Sequence, residues 1–424
     1  MPPRVLPWLY FGCAWLSLAL AFGAIVWDPR GVAGFFYHAR LAGIVHLVTL
    51  GWITMSILGA LYVVGPIALR TPMPARRVDW FAFASVAIGV IGMVAHFWIE
   101  EFGGMAWSGL MVAAGILLVG ARVVRQLRRA PIHPAVKLHI RLAFANIATA
   151  ATAGVLLGFD KVYHFLPGYV LANVIAHAHL AAIGWASMMV VGVAYRMFPM
   201  LLPARPPRGR TIYASAILLQ TGATGLFVTL MLQSDWVTLF AATTIAGFAA
   251  FAVHAGVMLT HRLRPPVDLP SPDYAIRHVF LALGSLAIAA VIGVVLATSH
   301  MSELTLRLAL AYGVFGLVGF LAQIIVGVQL RLLPVTSTAL SAWSFLLWLW
   351  GVPALALGLA LDGIPLLTFG ALALEAGVVI GAIQAVRAAR FAFSGAREST
   401  TPRNPSLAAG RFPHTSQPDC GIAR

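Results

Sequence analysis

Long, unalternating apolar runs separated by short basic connections dominate this chain. Twelve runs are long enough to cross a bilayer core, near 5–27, 38–69, 80–99, 103–124, 138–159, 169–202, 211–233, 236–260, 278–298, 304–334, 341–361 and 364–390. Runs of this length without period-two alternation predict helices and not barrel strands. The second, sixth and tenth runs are long, and each finishes at a proline: Pro66, Pro199 and Pro334.

Read back from those prolines, the three runs share one register. The first carries His46, Gly51, Trp52, Gly59 and Tyr62, and the second carries His179, Gly184, Trp185, Gly192 and Tyr195. The third is degenerate, with Val314, Gly319, Phe320, Gly327 and Leu330. The steps between prolines are 133 and 135 residues. A period this long means three copies of a large unit and not a solenoid of short repeats. The expectation is an all-α integral membrane protein, with twelve transmembrane helices in three pseudo-symmetric four-helix repeats of about 1–133, 134–266 and 267–393. Residues 394–424 are rich in Ser, Thr, Pro and Arg and read as a disordered cytoplasmic tail.

Composition agrees with a membrane chain: 424 residues, 60% hydrophobic and 10% charged. With the N-terminus inside, the inner segments hold 24 of the 28 basic residues, leaving Arg30, Arg40, Lys161 and Arg307 outside. Both termini are therefore expected in the cytoplasm, and the net charge of +15 is a signal for topology and anionic lipid, not for nucleic acid. Residues 5–27 are longer than an ordinary signal-peptide core, and the four-helix unit needs them, so they read as a span. Cys13 in the first run and Cys420 in the tail would lie too far apart for a disulfide.

Histidine inside a membrane is costly unless paired, hydrated or ligated, and neutral imidazole is a good ligand for haem iron. His46 and His179 occupy the same register position, each followed by Gly-Trp, in the outer third to half of the bilayer. Ligation of one haem by this pair is set against hydrogen bonding to a carbonyl between packed helices. His177 lies two residues before His179, about 200° around the helix, so it faces another groove: either a second cofactor or a polar partner there. Tyr312 stands at its place in the third unit and Ile44 in the first.

The segment His177-Ala178-His179-Leu180-Ala181-Ala182-Ile183-Gly184-Trp185, continuing to Tyr195 and Pro199, resembles helix ten of the catalytic subunit of cbb3-type cytochrome oxidases, in the haem-copper oxidase superfamily. The segment from His46 through Gly51-Trp52 to Tyr62 similarly resembles that family's second helix, and the family too has twelve helices in three arcs. The resemblance implies His46 and His179 as low-spin ligands of a haem b, and His177 as the proximal ligand of a second haem. Trp52, Trp185, Tyr62 and Tyr195 complete the candidate cofactor-lining set, the tyrosines either meeting a porphyrin edge or simply packing. The chain also departs from the family. His-x-His falls on the sixth run, the seventh and eleventh runs lack the copper-site histidines, and Glu375 is the only acidic residue well inside a span. No copper site is expected, and a proton-pumping terminal oxidase is disfavoured.

Two functions follow. One is electron transfer or binding of O2 or NO at a bis-His haem in a bacterial inner membrane, with a quinol or periplasmic cytochrome as donor and with partner membrane subunits. The other is a cofactor-free transporter or respiratory-complex assembly protein on the same fold. Outer residues His38, His96, Glu100, Glu101, His164 and His300 are weighed as a metal or quinol site against unconnected loop histidines, the latter favoured.

Overall fold

A computed structural model describes residues 5–34, 37–201, 203–261, 263, 272–333 and 337–398. Its twelve long apolar helices are α1 (Val5–Trp27), α2 (Ala39–Ile67), α3 (Arg77–Trp98), α4 (Phe102–Leu127), α5 (Pro134–Tyr163), α6 (Val170–Leu201), α7 (Ile212–Met231), α8 (Val237–Thr260), α9 (Tyr274–Thr298), α10 (Glu303–Leu332), α11 (Thr338–Ala360) and α12 (Ile364–Glu398). They coincide with the twelve apolar runs. The helix end at Glu398 takes the boundary drawn at 394 outward, and the rest of the expected tail lies outside the described residues.

Side-chain caps fix several helix starts. Glu101 accepts from the Gly103 and Gly104 N–H groups, Asp273 from Ile276, Ser337 from Leu340, and Ser302 forms a capping box with Thr305. Helices α3–α4, α7–α8 and α11–α12 pack as antiparallel hairpins, and α2, α6 and α10 pack on α1, α5 and α9 respectively. The three long helices also touch one another at the centre. They are the most buried spans, with 78%, 56% and 61% of their most apolar windows inside the protein against 17–50% in the other nine. The others present Leu, Ile, Val and Trp outward, as a lipid-facing surface requires.

Each central helix contains a π-helical segment: Leu47–Thr54 in α2, Leu180–Ser187 in α6 and Val314–Ala322 in α10. Sequence periodicity did not reveal these, since one widened turn leaves an apolar run apolar. Their glycines sit against the preceding helix. A Cβ on Gly51 would lie 2.4 Å from Ser17 Cβ, one on Gly184 2.9 Å from Asn146 Cγ, and one on Gly319 2.7 Å from Ser285 Oγ. About two turns inward, Gly59 meets Tyr10, Gly192 meets His139, and Gly327 meets Ala275 and His278. Asn146 Nδ2 also donates to the Gly184 carbonyl at 2.9 Å, giving a loosened backbone acceptor a partner.

Gly192→Val should be among the costly single changes, because its side chain begins 2.5 Å from His139 Cβ. A loss of about 1–3 kcal/mol is expected from the forced shift. Gly284→Ala, which faces open space, should be neutral or mildly stabilising. Thermal unfolding of both variants in detergent checks the contrast.

Candidate functional site

His46 ends the first α-helical part of α2, immediately before the π segment. Its Nδ1 lies 2.7 Å from the Ala42 carbonyl, one turn back. A carbonyl only accepts, so Nδ1 carries the proton and Nε2 the lone pair. His177 on α6 has the same arrangement with a partner on another helix: Nδ1 lies 2.9 Å from the Ala150 carbonyl of α5. Gly154 makes room for this ring, since a Cβ there would stand 2.9 Å from His177 Cε1. The two imidazoles face each other with ring centres 6.5 Å apart and planes 19° from parallel. Both rings are half-buried, and neither Nε2 has a hydrogen-bond partner among the described residues. Phe97 of α3 flanks His46 at 5.1 Å between ring centres.

His179 faces elsewhere. Its Nδ1 lies 2.9 Å from the Ile175 carbonyl, and its Nε2 accepts from the Tyr312 hydroxyl of α10 at 3.3 Å. Those rings are 5.7 Å apart and 20° from parallel. Gly293 of α9 lies under Tyr312 as Gly154 lies under His177. The ring that meets His46 is thus His177, and the ring that meets His179 is Tyr312. No ring contact among the described residues joins His46 to His179. Sequence reasoning placed His177 in a different groove from His179, and the two do face different partners. It did not foresee that His177 would be the one opposite His46.

The remaining candidates have other partners. Trp52 and Trp185 are 0% and 2% exposed and bind the central helices to each other: Trp52 Nε1 donates to the Ala322 carbonyl at 3.4 Å, and Trp185 Nε1 to Thr54 Oγ1 at 3.1 Å. Tyr62 stacks on Tyr10, 6.2 Å between ring centres. Tyr195 bonds Ser215 Oγ at 2.9 Å and His254 Nδ1 at 3.2 Å. Each tyrosine is 16 residues past its histidine, roughly 24 Å along a helix, at the end of the bundle with the basic connections.

Several polar residues escaped the sequence reading. His139 bonds Ser215 Oγ at 3.0 Å, and Arg122 pairs in the interior with Asp79 while also reaching the Pro74 carbonyl. His139 and His278 lie against Gly192 and Gly327 as Tyr10 lies against Gly59, but no fixed spacing marks them, since 49 residues separate Tyr10 from Gly59 and His278 from Gly327 while 53 separate His139 from Gly192.

Near the start of α2, Lys161 lies over the Tyr37 and Phe102 rings at 5.2 and 5.8 Å. It stands seven residues beyond Gly154, on the same face of α5. His96 is 3.6 Å from Glu101, and no group of three or more metal-binding side chains occurs among the described residues. No family model and no curated protein matches the chain.

His38 starts α2, its Nδ1 accepting from the Leu41 N–H at 3.2 Å. Burial, the largest influence, holds this imidazole below its ordinary value. A lowered folded-state value means the unfolded chain takes up the proton first. The cap is therefore complete above about pH 6.5 and is lost as pH falls through the folded value. Amide exchange at Leu41, corrected for its intrinsic pH dependence, should accelerate between pH 7 and 5. In His38→Asn, which caps without titrating in this range, it should not.

Proposed function

We propose that this is a haem-binding integral membrane protein of haem-copper-oxidase-like fold, in which His46 and His177 would be the residues that hold one b-type haem between α2 and α6. The observation that carries this reading is the opposed pair itself. The rings are 6.5 Å apart and nearly parallel, and both protons are committed to carbonyls on Nδ1. That second bond fixes the tautomer and aims the free nitrogen, the usual arrangement for a ligating histidine.

Cyclic packing accounts for the change of partner. Three like units closing a ring meet through heterologous interfaces, so one position on a unit faces a different position on the next. On the reading of three pseudo-symmetric four-helix repeats, with both termini cytoplasmic, the His46 position of one unit faces the His177 position of its neighbour. The next groove then receives His179 and Tyr312, and the last receives Val314 and Ile44. The first groove offers two imidazoles, the second one imidazole already engaged by a phenol, and the third only apolar side chains. One haem is therefore assigned, and a second at His179 would first have to displace the Tyr312 hydroxyl.

When bound and held by both imidazoles, the iron would supply a one-electron couple. The chain's own part is to hold both imidazoles neutral, to exclude water with the apolar walls of α2, α3 and α6, and to offer Lys161 toward any carboxylate at the outer end. Electron transfer in a bacterial inner membrane is the role in keeping with this. A quinol or periplasmic cytochrome would be the donor, without a copper-dependent oxygen site.

Absorption spectra and haem counting test the proposal. The purified chain should show one haem per polypeptide with sharp reduced α and β bands. His46→Ala and His177→Ala should each abolish the low-spin bands, while His179→Ala should keep them. Loss in His179→Ala with retention in His177→Ala would restore the same-register pair. A folded, colourless wild-type protein would leave the cofactor-free transporter or assembly reading.

A further inference from the structure

The third central helix differs from the other two in its inner half. It carries Gln323 where the others have Met55 and Met188, and Gln329 where they have Leu61 and Ala194. An amide in an apolar bundle is costly unless its hydrogen bonds are made, and equivalent positions manage without one. Gln329 Nε2 donates to Ser56 Oγ on α2 at 3.4 Å, but Oε1 has no partner among the described residues. On α12, Gln384 Oε1 accepts from Ser341 Oγ at 3.0 Å, but Nε2 has no partner among them. Trp15 Nε1 on α1 has none among them either.

These three unpartnered atoms share one place. Gln329, Gln384 and Trp15 are 5%, 6% and 6% exposed, and all line a single cavity between α1, α10, α11 and α12. Ser344 adds a hydroxyl, and Val326 and Leu330 supply an apolar wall. The room is that of a water-sized group. Two N–H donors, one carbonyl acceptor and one hydroxyl converge there without any charge among the lining side chains. An ion would lack a counter-charge and would stay in solvent. A neutral molecule that both donates and accepts would satisfy every group.

We propose that this cavity, at the junction of α1 with α10–α12, is a binding site for ordered water inside the membrane domain. It would satisfy Trp15, Gln329 and Gln384 together. Through Gln329 it would stand one hydrogen bond from Ser56, two residues beyond the Thr54 hydroxyl that holds Trp185. Water would thus stand at the edge of the central three-helix contact.

Hydroxyl-radical footprinting by synchrotron radiolysis, on the full chain in nanodiscs, tests this, because bound water generates the radical beside the residue it modifies. Trp15 should oxidise several-fold faster than Trp52, its neighbour at 4.5 Å, which does not line the cavity. Gln329→Leu, which installs the residue found at position 61, should slow Trp15 toward the Trp52 rate. Equal rates for Trp15 and Trp52 in the wild-type chain would overturn the proposal. Thermal melting gives a second readout. With water in place, Gln329→Leu and Gln384→Leu should each lower the midpoint, because a satisfied amide is lost. A raised midpoint in both would mark dry, unsatisfied amides and would equally overturn it.

Discussion

Backbone-close contact along the glycines of α2, α6 and α10 is the constraint on which the rest of this structure depends. In a bilayer, apolar surface gains little from meeting other apolar surface, so helices associate where small residues let them approach and where polar groups find partners. Gly51, Gly184 and Gly319 bring each central helix onto the preceding span, and Gly59, Gly192 and Gly327 repeat the contact about two turns inward. With those approaches fixed, the faces left over point at the other central helices, where Trp52 and Trp185 reach across to Ala322 and Thr54. The π segments fall at this same level. A widened turn frees backbone carbonyls, and side chains such as Asn146 are on hand to take them up.

The polar chemistry is distributed by the same geometry. Imidazoles in the first half of α2 and α6 are each tied through Nδ1 to a carbonyl, on their own helix for His46 and His179 and on α5 for His177. Toward the other end of the central helices the polar groups differ. Tyr62 of α2 stacks on Tyr10 near an Asp79–Arg122 pair, and Tyr195 of α6 joins a Tyr195–Ser215–His139–His254 network. Gln323 of α10 lies beside His278 at 3.4 Å. A π segment and glycine contacts to the preceding helix recur in α2, α6 and α10, while the groups they enclose differ.

Much of this was legible in the sequence, for physical reasons that also mark where legibility stops. Twelve spans could be read because a bilayer demands some twenty apolar residues per crossing, a demand no local packing detail can hide. The alignment of His46 with His179 could be read because the glycines and prolines around them have fixed steric duties. The pairing of side chains could not. Register tells which residues are equivalent, whereas contact depends on which faces adjoining helices turn to each other. His46 and His179 are equivalent and do not meet, while His46 and His177 are not equivalent and do. The π segments were hidden because hydrophobicity is blind to one extra residue in a turn. Asn146, His139 and His278 were hidden because isolated polar residues in an apolar run carry no periodic signal.

Equivalence and contact would coincide only across a two-fold axis, where a position near the axis can meet its own copy. Any larger ring joins unlike faces. A residue pair repeated around such a ring is therefore better sought two steps along the pattern than at matching steps. His177 beside His179, with Tyr312 at the same place one unit on, is such a second face. Ile44 and Val314 hold the two corresponding positions of the aligned runs, and neither is polar. An imidazole pair thus lies between α2 and α6, and an imidazole with a phenol between α6 and α10. The glycine contacts that set helix approach lie on other faces, toward the preceding helices, so these pairs can differ without moving the helices.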